Sequence, residues 1–296
     1  MKALNKITPV IITSVFLLSV LLASQAAFGW DKQSMPTNTK NTAINAQFEF
    51  PKNETTCNSC EDCSAKLNGD WNKVTLTASI DNRAETCIVF GADNITFDGG
   101  RDNGYHIDGT RGQSTYGIDL SSHSGITIIN TEIKEFYYGI KATYSMSIAI
   151  KDSHIHHNSW GIVFGEGNGF FIQNNVIKWN DYDAINGVNS NFNIIKNNEI
   201  ATNFGNGIIT LGLAFSSIIE NEFIGNANTG LDLASCNGNI IHHNNFIGNN
   251  KQALDNGANN WNTTSEGNYW DDYSGSGPYY IPGGNNADYY PSLISF

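Results

Sequence analysis

Hydrophobic residues recur along this chain with two superimposed periods, one of two residues and one of 22–24. Aligned on Thr131, Ser153, Asn175, Asn198, Asn221 and Asn244, the chain carries Ile133, Ile155, Ile177, Ile200, Phe223 and Phe246 two residues later. Three residues before the same anchor stand Ile128, Ile150, Ile172, Ile195, Ile218 and Ile241. A third column follows a small residue: Gly117-Ile118, Gly139-Ile140, Gly161-Ile162, Ala184-Ile185, Gly207-Ile208, Gly230-Leu231 and Ala253-Leu254. Short β-branched runs broken by Asn and Gly leave no room for an ordinary helix, and alternation within each run points one side chain in and its neighbours out. Three such strands per unit, repeated in register, close a prism whose core is Ile stacked on Ile. The pattern predicts an all-β chain: a single-stranded right-handed parallel β-helix from about residue 70 to the C-terminus.

Asn158, Asn180, Asn203, Asn226 and Asn249 form a further column at the second turn. Asparagine tolerates the left-handed conformation, and stacked amides can bond along the axis, so these residues are read as scaffold. A solenoid has two open edges that need covering. At one end stand Cys57, Cys60, Cys63 and Cys87, read as two disulfides with three possible pairings. At the other, an aromatic tail with Trp261, Tyr269, Trp270, Tyr273, Tyr279 and Tyr280 is expected to cover the last coil. Cys236 is left over and is expected to be a buried free thiol.

Composition narrows the class. The 296 residues carry a formal net charge of −12, and 15% of them are charged against 40% hydrophobic, as in a globular chain. An acidic surface disfavours nucleic acid and anionic membrane as partners. Lys2 and Lys6, the apolar stretch from about Ile11 to Ala23 and small residues near position 29 read as a signal peptide, or else an N-terminal anchor, which places the remainder in a secreted or cell-surface location. The expected organisation is residues 1–29 signal peptide, 30–56 spacer, 57–94 cysteine-containing cap and first coil, 95–260 β-helix repeats, and 261–296 C-terminal coil and aromatic cap. No oligomeric state follows from the sequence.

Three passages resemble the NosD-like family of right-handed β-helix proteins, within the pectin-lyase-like superfamily of archaeal and bacterial secreted or surface proteins. They are Cys87-Ile-Val-Phe-Gly-Ala-Asp-Asn-Ile-Thr-Phe-Asp-Gly99 with Tyr105-His-Ile-Asp-Gly109, the repeats from Ile126 to Asn260, and Gly267-Asn-Tyr-Trp-Asp-Asp-Tyr-Ser-Gly275 with Ile281-Pro-Gly-Gly-Asn-Asn-Ala-Asp-Tyr-Tyr-Pro291. The resemblance implies the same fold and brings the label "copper-binding". Beyond the N-terminal segment only Met35 and Met146 remain as thioethers, and the repeats hold no Met-rich or Cys-His copper motif. In similar tails an acidic loop between the Tyr-Ser-Gly and Pro-Tyr elements suits calcium; here Ser274-Gly-Ser-Gly277 stands in its place. No cofactor is expected, and a divalent metal, copper or calcium, is the one candidate.

Four constellations could carry chemistry. His154 and His156 share an outward face, with Glu132 one coil below His154, as a three-ligand metal set requires, although Lys134 and Lys178 flank His156 in its column. Glu199 with Glu222, and Asp232 with Asp255, are expected as stacked outward carboxylate pairs, the arrangement of a retaining glycosidase. Tyr116, Tyr138 and Trp160 occupy one column, with Trp179 and Tyr182 a coil further, and aromatic rings beside polar groups suit sugar faces. Lyases of the related fold use an Arg or Lys base near aspartates, but no Arg lies beyond Arg111, which leaves Lys134, Lys141, Lys151, Lys178 and Lys196. The clustered aspartates with Gly-His-Gly of galacturonases and the Asp-Pro-His-Asp of alginate epimerases are also missing. The expected function is a non-catalytic glycan-binding or structural, adhesive module whose partner is a polysaccharide or surface glycan. The alternatives are a polysaccharide lyase, hydrolase or epimerase, and a copper-handling accessory protein.

Overall fold

A computed structural model describes residues 53–296. Each coil supplies three short strands, and the coils stack into three parallel sheets of ten, nine and eight strands. The three inward columns pair in register. Ile128, Ile150, Ile172, Ile195, Ile218 and Ile241 run up the ten-stranded sheet. Ile133, Ile155, Ile177, Ile200, Phe223 and Phe246 run up the nine-stranded sheet. Ile118, Ile140, Ile162, Ile185, Ile208 and Leu231 run up the eight-stranded sheet. All of these are fully buried, and each is worth about 1.5–3 kcal/mol relative to exposure. The right-handed parallel β-helix expected from the repeat is therefore the fold.

The corners are held by three polar ladders. In the first, each backbone N–H from Ser153 through Asn175, Asn198, Asn221 and Asn244 donates to the amide oxygen of the asparagine one coil on, ending at Asn268. The second runs from Phe136 through Asn158, Asn180, Asn203 and Asn226 to Asn249. The third, which the repeat did not reveal, runs from Phe170 through Asn193, Ser216, Asn239 and Asn259 to Asn286. The left-handed residue at these corners is not the ladder asparagine but the one before it: Asn174 (φ 57°) precedes Asn175, and Trp179 (φ 55°) precedes Asn180. The side chain at the ladder position turns inward to accept, while its predecessor makes the bend.

At the N-terminal end the strand Glu54–Cys57 pairs with Lys73–Leu76, and the helix Cys60–Lys66 follows, its first turn capped by Ser59. Seven residues are too few for a stable isolated helix. Disulfides Cys57–Cys63 and Cys60–Cys87 pin it to the first coil. At the C-terminal end Trp261 and Trp270 are buried, and Phe246, Trp270 and Tyr279 stack face to face at 4.4 and 4.1 Å. Tyr280 instead points outward and is 73% exposed. The signal-peptide and most of the spacer expectations fall on residues outside the described ones; among the described residues, no helix is long and apolar enough to cross a membrane.

Candidate functional site

The aromatic column forms at the corner where the nine-stranded sheet gives way to the eight-stranded one. Tyr116, Tyr138 and Trp160 are register partners, and their rings lie 5.4 and 6.5 Å apart at shallow angles. Trp160 passes the stack to Tyr182 at 4.9 Å. Rings stacked on one another have their faces occupied, so Tyr138 and Trp160 offer a ligand only their edges. Burial, and then the neighbouring Tyr137 and Tyr116, push the Tyr138 phenol above its ordinary value. Lys141 lies against the first ring, its Nζ 4.5 Å from the Tyr116 ring centre.

The upper end is open. Among the described residues Tyr182 stacks on Trp160 alone, the next coil approaches it through the Gly205 N–H bonded to its carbonyl, and Tyr182 is 49% exposed. Trp179 does not continue the stack; it lies on the left-handed corner beside His157, ring centres 5.2 Å apart. Arg111, His157, Trp179, Asp181 and Phe204 line a shallow pocket of about 420 Å³ there. Trp179 and Phe204 are 42% and 70% exposed. Arg111 Nη1 grips both Asp181 oxygens at 3.0 and 2.9 Å and its Nε bonds Glu135, spanning the coils between. One guanidinium faces two carboxylates, so the fork keeps a net negative charge and the pocket presents acceptors beside apolar rings. Phe204 and Arg111 belong to this site and were not expected there; Phe204 could have been found from its position one coil above Asp181.

Of the two carboxylate pairs, one is formed. Glu199 and Glu222 are register partners and line a second pocket of about 420 Å³ with Glu220, His243 and Phe296. The Asp232–Asp255 pair is not. Asp232 pairs with Leu254, and Leu233 pairs with Asp255. The step from Ile208 to Leu231 is 23 residues but from Leu231 to Ala253 only 22, and a one-residue slip turns every side chain to the other face. Asp255 is fully buried, accepting from Asn259, Gly257 and Trp261 Nε1. Asp232 stays outward, its pKa raised by burial and then by Asp183.

The His154, His156 and Glu132 set is assembled as expected by register, with Lys134 and Lys178 on either side of His156. It has no vacancy for a cation. Arg101, from the turn Arg101–Asn103, places Nη1 2.9 Å from His154 Nε2. His156 Nε2 faces Glu132 at 3.4 Å and its Nδ1 contacts His157 at 2.7 Å. Burial first, and Arg101 second, lower the His154 pKa; burial also lowers that of His156, against the pull of Glu132. Another cluster went unforeseen: Asp81, His106 and Asp108 bring ligand atoms within 4.8 Å of one another.

Fold and surface together define a parallel β-solenoid with an Ile-stacked core and outward aromatic rings at its corners. The sequence matches the family described as periplasmic copper-binding protein (NosD) over residues 79–275, most of the chain, and the chain belongs to that family. No curated protein matches it. An alginate lyase from Paenibacillus sp. str. FPU-7 is similar in structure at 13% identity, with 77% of this chain and 89% of that chain covered and a TM-score of 0.53. A mutant of the periplasmic alginate epimerase AlgG is similar at 15% identity and a TM-score of 0.51, covering 64% of this chain and 50% of that chain. This chain thus spans half the length of the epimerase, and both likenesses concern the fold alone. The residues do not fit the copper of the family's description as a soft-donor site. Among the described residues the free soft donors are Met146, 53% exposed, and Cys236, fully buried and bonded to Thr210 and Leu213. Met146 is four bridges along its corner from Asn237, the neighbour of Cys236.

Proposed function

We propose that this protein is an extracytoplasmic, non-catalytic solenoid that binds polysaccharide at the corner formed by Trp179, Tyr182 and Phe204. The observation that carries the reading is the open end of the aromatic stack at Tyr182, half exposed beyond its contact with Trp160. Tyr116, Tyr138 and Trp160 act as the backing that holds Tyr182 rigid, and the exposed rings supply apolar faces for sugar C–H groups. Asp181 and Arg111 stand beside them for hydroxyls. Membership of a family described as periplasmic supports the location. Co-sedimentation and affinity electrophoresis across neutral and uronate polysaccharides test this. Wild-type protein is expected to be retained by at least one, and Trp179→Ala/Tyr182→Ala to lose that retention by about tenfold or more, since fully burying an aromatic or aliphatic side chain is worth about 1.5–3 kcal/mol. Retention unchanged in the double variant would overturn it.

A catalytic reading keeps one supporting observation, the Glu199–Glu222 pair over its pocket. Adjacent coils are about 4.8 Å apart, near the carboxylate spacing of retaining glycosidases. Product release from any polysaccharide, lost in Glu199→Gln, would establish it in place of the binding role.

A further inference from the structure

We infer that Asp81, His106 and Asp108 form a binding site for one borderline divalent cation of the zinc class. The three side chains come from the first two strands of the nine-stranded sheet and the residue between them and the preceding turn. Ile80 pairs with Ile107, which brings Asp81 beside Asp108, and the Ile80 N–H bonds the His106 carbonyl. His106 Nε2 already points at Asp81 Oδ1, 2.8 Å away. Ser79 Oγ, 3.3 Å from Nδ1, occupies the other ring nitrogen. A fixed second partner of this kind is what orients a ligating imidazole. Asp108 Oδ1 is a solvent-shielded oxygen without a hydrogen-bond partner, and an orphaned buried acceptor calls for an explanation. A cation held between it, Asp81 Oδ1 and His106 Nε2 supplies one.

The surroundings decide the class of ion. One imidazole nitrogen and two carboxylate oxygens suit zinc, cobalt or manganese, whereas calcium takes six to eight oxygens and copper(I) takes sulfur. Three protein ligands leave further positions to water. The strand Ile80–Arg83 is the terminal strand of its sheet, and the Asp81 side chain is 59% exposed, so the ion has a path from solvent. Lys134 is the one opposing charge, its Nζ 3.8 Å from Asp108 Oδ2. It approaches the oxygen that the cation does not use. The contrast with His154 is instructive: there a guanidinium already fills the position of an ion.

The test is a Co²⁺ titration of untagged full-length protein, followed by visible absorption, with Zn²⁺ and Ca²⁺ as competitors. One Co²⁺ per chain is expected, displaced by Zn²⁺ and not by Ca²⁺, with a rise in melting temperature on loading. His106→Ala and Asp108→Asn are expected to weaken binding by about tenfold or more, and Lys134→Ala to tighten it. Asp81→Asn, at an exposed position, gives the same loss without risk to folding. Absence of Co²⁺ binding to the wild type, displacement by Ca²⁺, or binding that survives Asp81→Asn and is lost in His154→Ala/His156→Ala would overturn the inference.

Discussion

A ladder asparagine serves three coils at once. Asn221 accepts from the N–H and the amide of Asn198 with one oxygen, while its own two amide hydrogens are shared among the carbonyls of Ile195 and Ile219 and the amide oxygen of Asn244. Removing it leaves a buried donor and buried acceptors without partners, which costs about 1–3 kcal/mol for each group left unpaired. Asn221→Ala is therefore expected to lower stability by about 2–4 kcal/mol in denaturant unfolding, more than an exposed Asn250→Ala; equal effects would show that the ladder contributes little. The imidazoles give a second residue-scale expectation. Burial holds His154, His156 and His242 below their ordinary value of 6.5, helped at His154 by Arg101 and at His242 by His243. The unfolded chain then binds more protons as pH falls below ~6.5, so stability that is complete above that value is lost on acidification. Melting temperature is expected to fall between pH 7.5 and 5.5, and His154→Asn/His156→Asn to flatten the fall. Asp232 and Asp288, whose pKa values burial raises, act in the opposite sense, so the variant comparison is what isolates the histidines. At this scale the inward Ile columns, the corner asparagines and the His154–Glu132 pairing were legible, because each depends only on register. The guanidinium against His154 was not, because Arg101 reaches it from 53 residues away through a turn outside the repeat.

The elements owe their ends to groups that break the pattern. Two of the three ladders finish on a carboxylate, Asn268 on Asp288 and Asn249 through Gln252 on Asp271; the third passes from Asn259 to Asn286, whose amide turns back to the carbonyls of Asp255 and Gly257. Each amide passes a donor upward, and a side chain with acceptors alone accepts that donor and asks nothing of a further coil. The ladders thereby stop without an exposed edge to recruit another copy. Asp288 also accepts from Trp270 Nε1 and the Tyr290 N–H, tying the last antiparallel pair to the tryptophan cap. Asp288→Ala is expected to cost about 2–4 kcal/mol and to raise hydrogen exchange first in residues 258–270; exchange rising uniformly along the solenoid would count against a local cap. The cap tryptophans were evident in the sequence, but the carboxylate terminators were not. The repeat points Asp255 outward beside Asp232, but the eight-stranded sheet shortens its last step while Phe223 to Phe246 keeps 23 residues in its neighbour. A repeat read from one sheet does not fix the register of another. The Asp81–His106–Asp108 cluster was hidden for a related reason: the register shifts between Ile80 and Arg83, before the regular spacing begins.

For the whole molecule, the uniform core leaves function to the outer faces and corners, and those differ strongly. One corner stacks Tyr116, Tyr138, Trp160 and Tyr182 and then opens; the opposite flank stacks Phe192 on Phe215 at 5.8 Å. The Glu199 pocket is acidic, and the N-terminal edge gathers Asp81, His106 and Asp108. The order of the aromatic column was readable from the sequence. That its middle rings shield each other, so that Tyr182, Trp179 and Phe204 carry the accessible surface, needed the third dimension. Likeness to an alginate lyase and an alginate epimerase shows how this solenoid is built, and the binding role rests instead on the open end of the stack. The most direct measurement is a crystal structure of the protein soaked with an oligosaccharide that co-sedimentation has selected. The account predicts a sugar ring lying on the free face of Tyr182, with hydroxyls at Asp181 or Arg111. A sugar seated between Glu199 and Glu222, with the Tyr182 face empty, would contradict it.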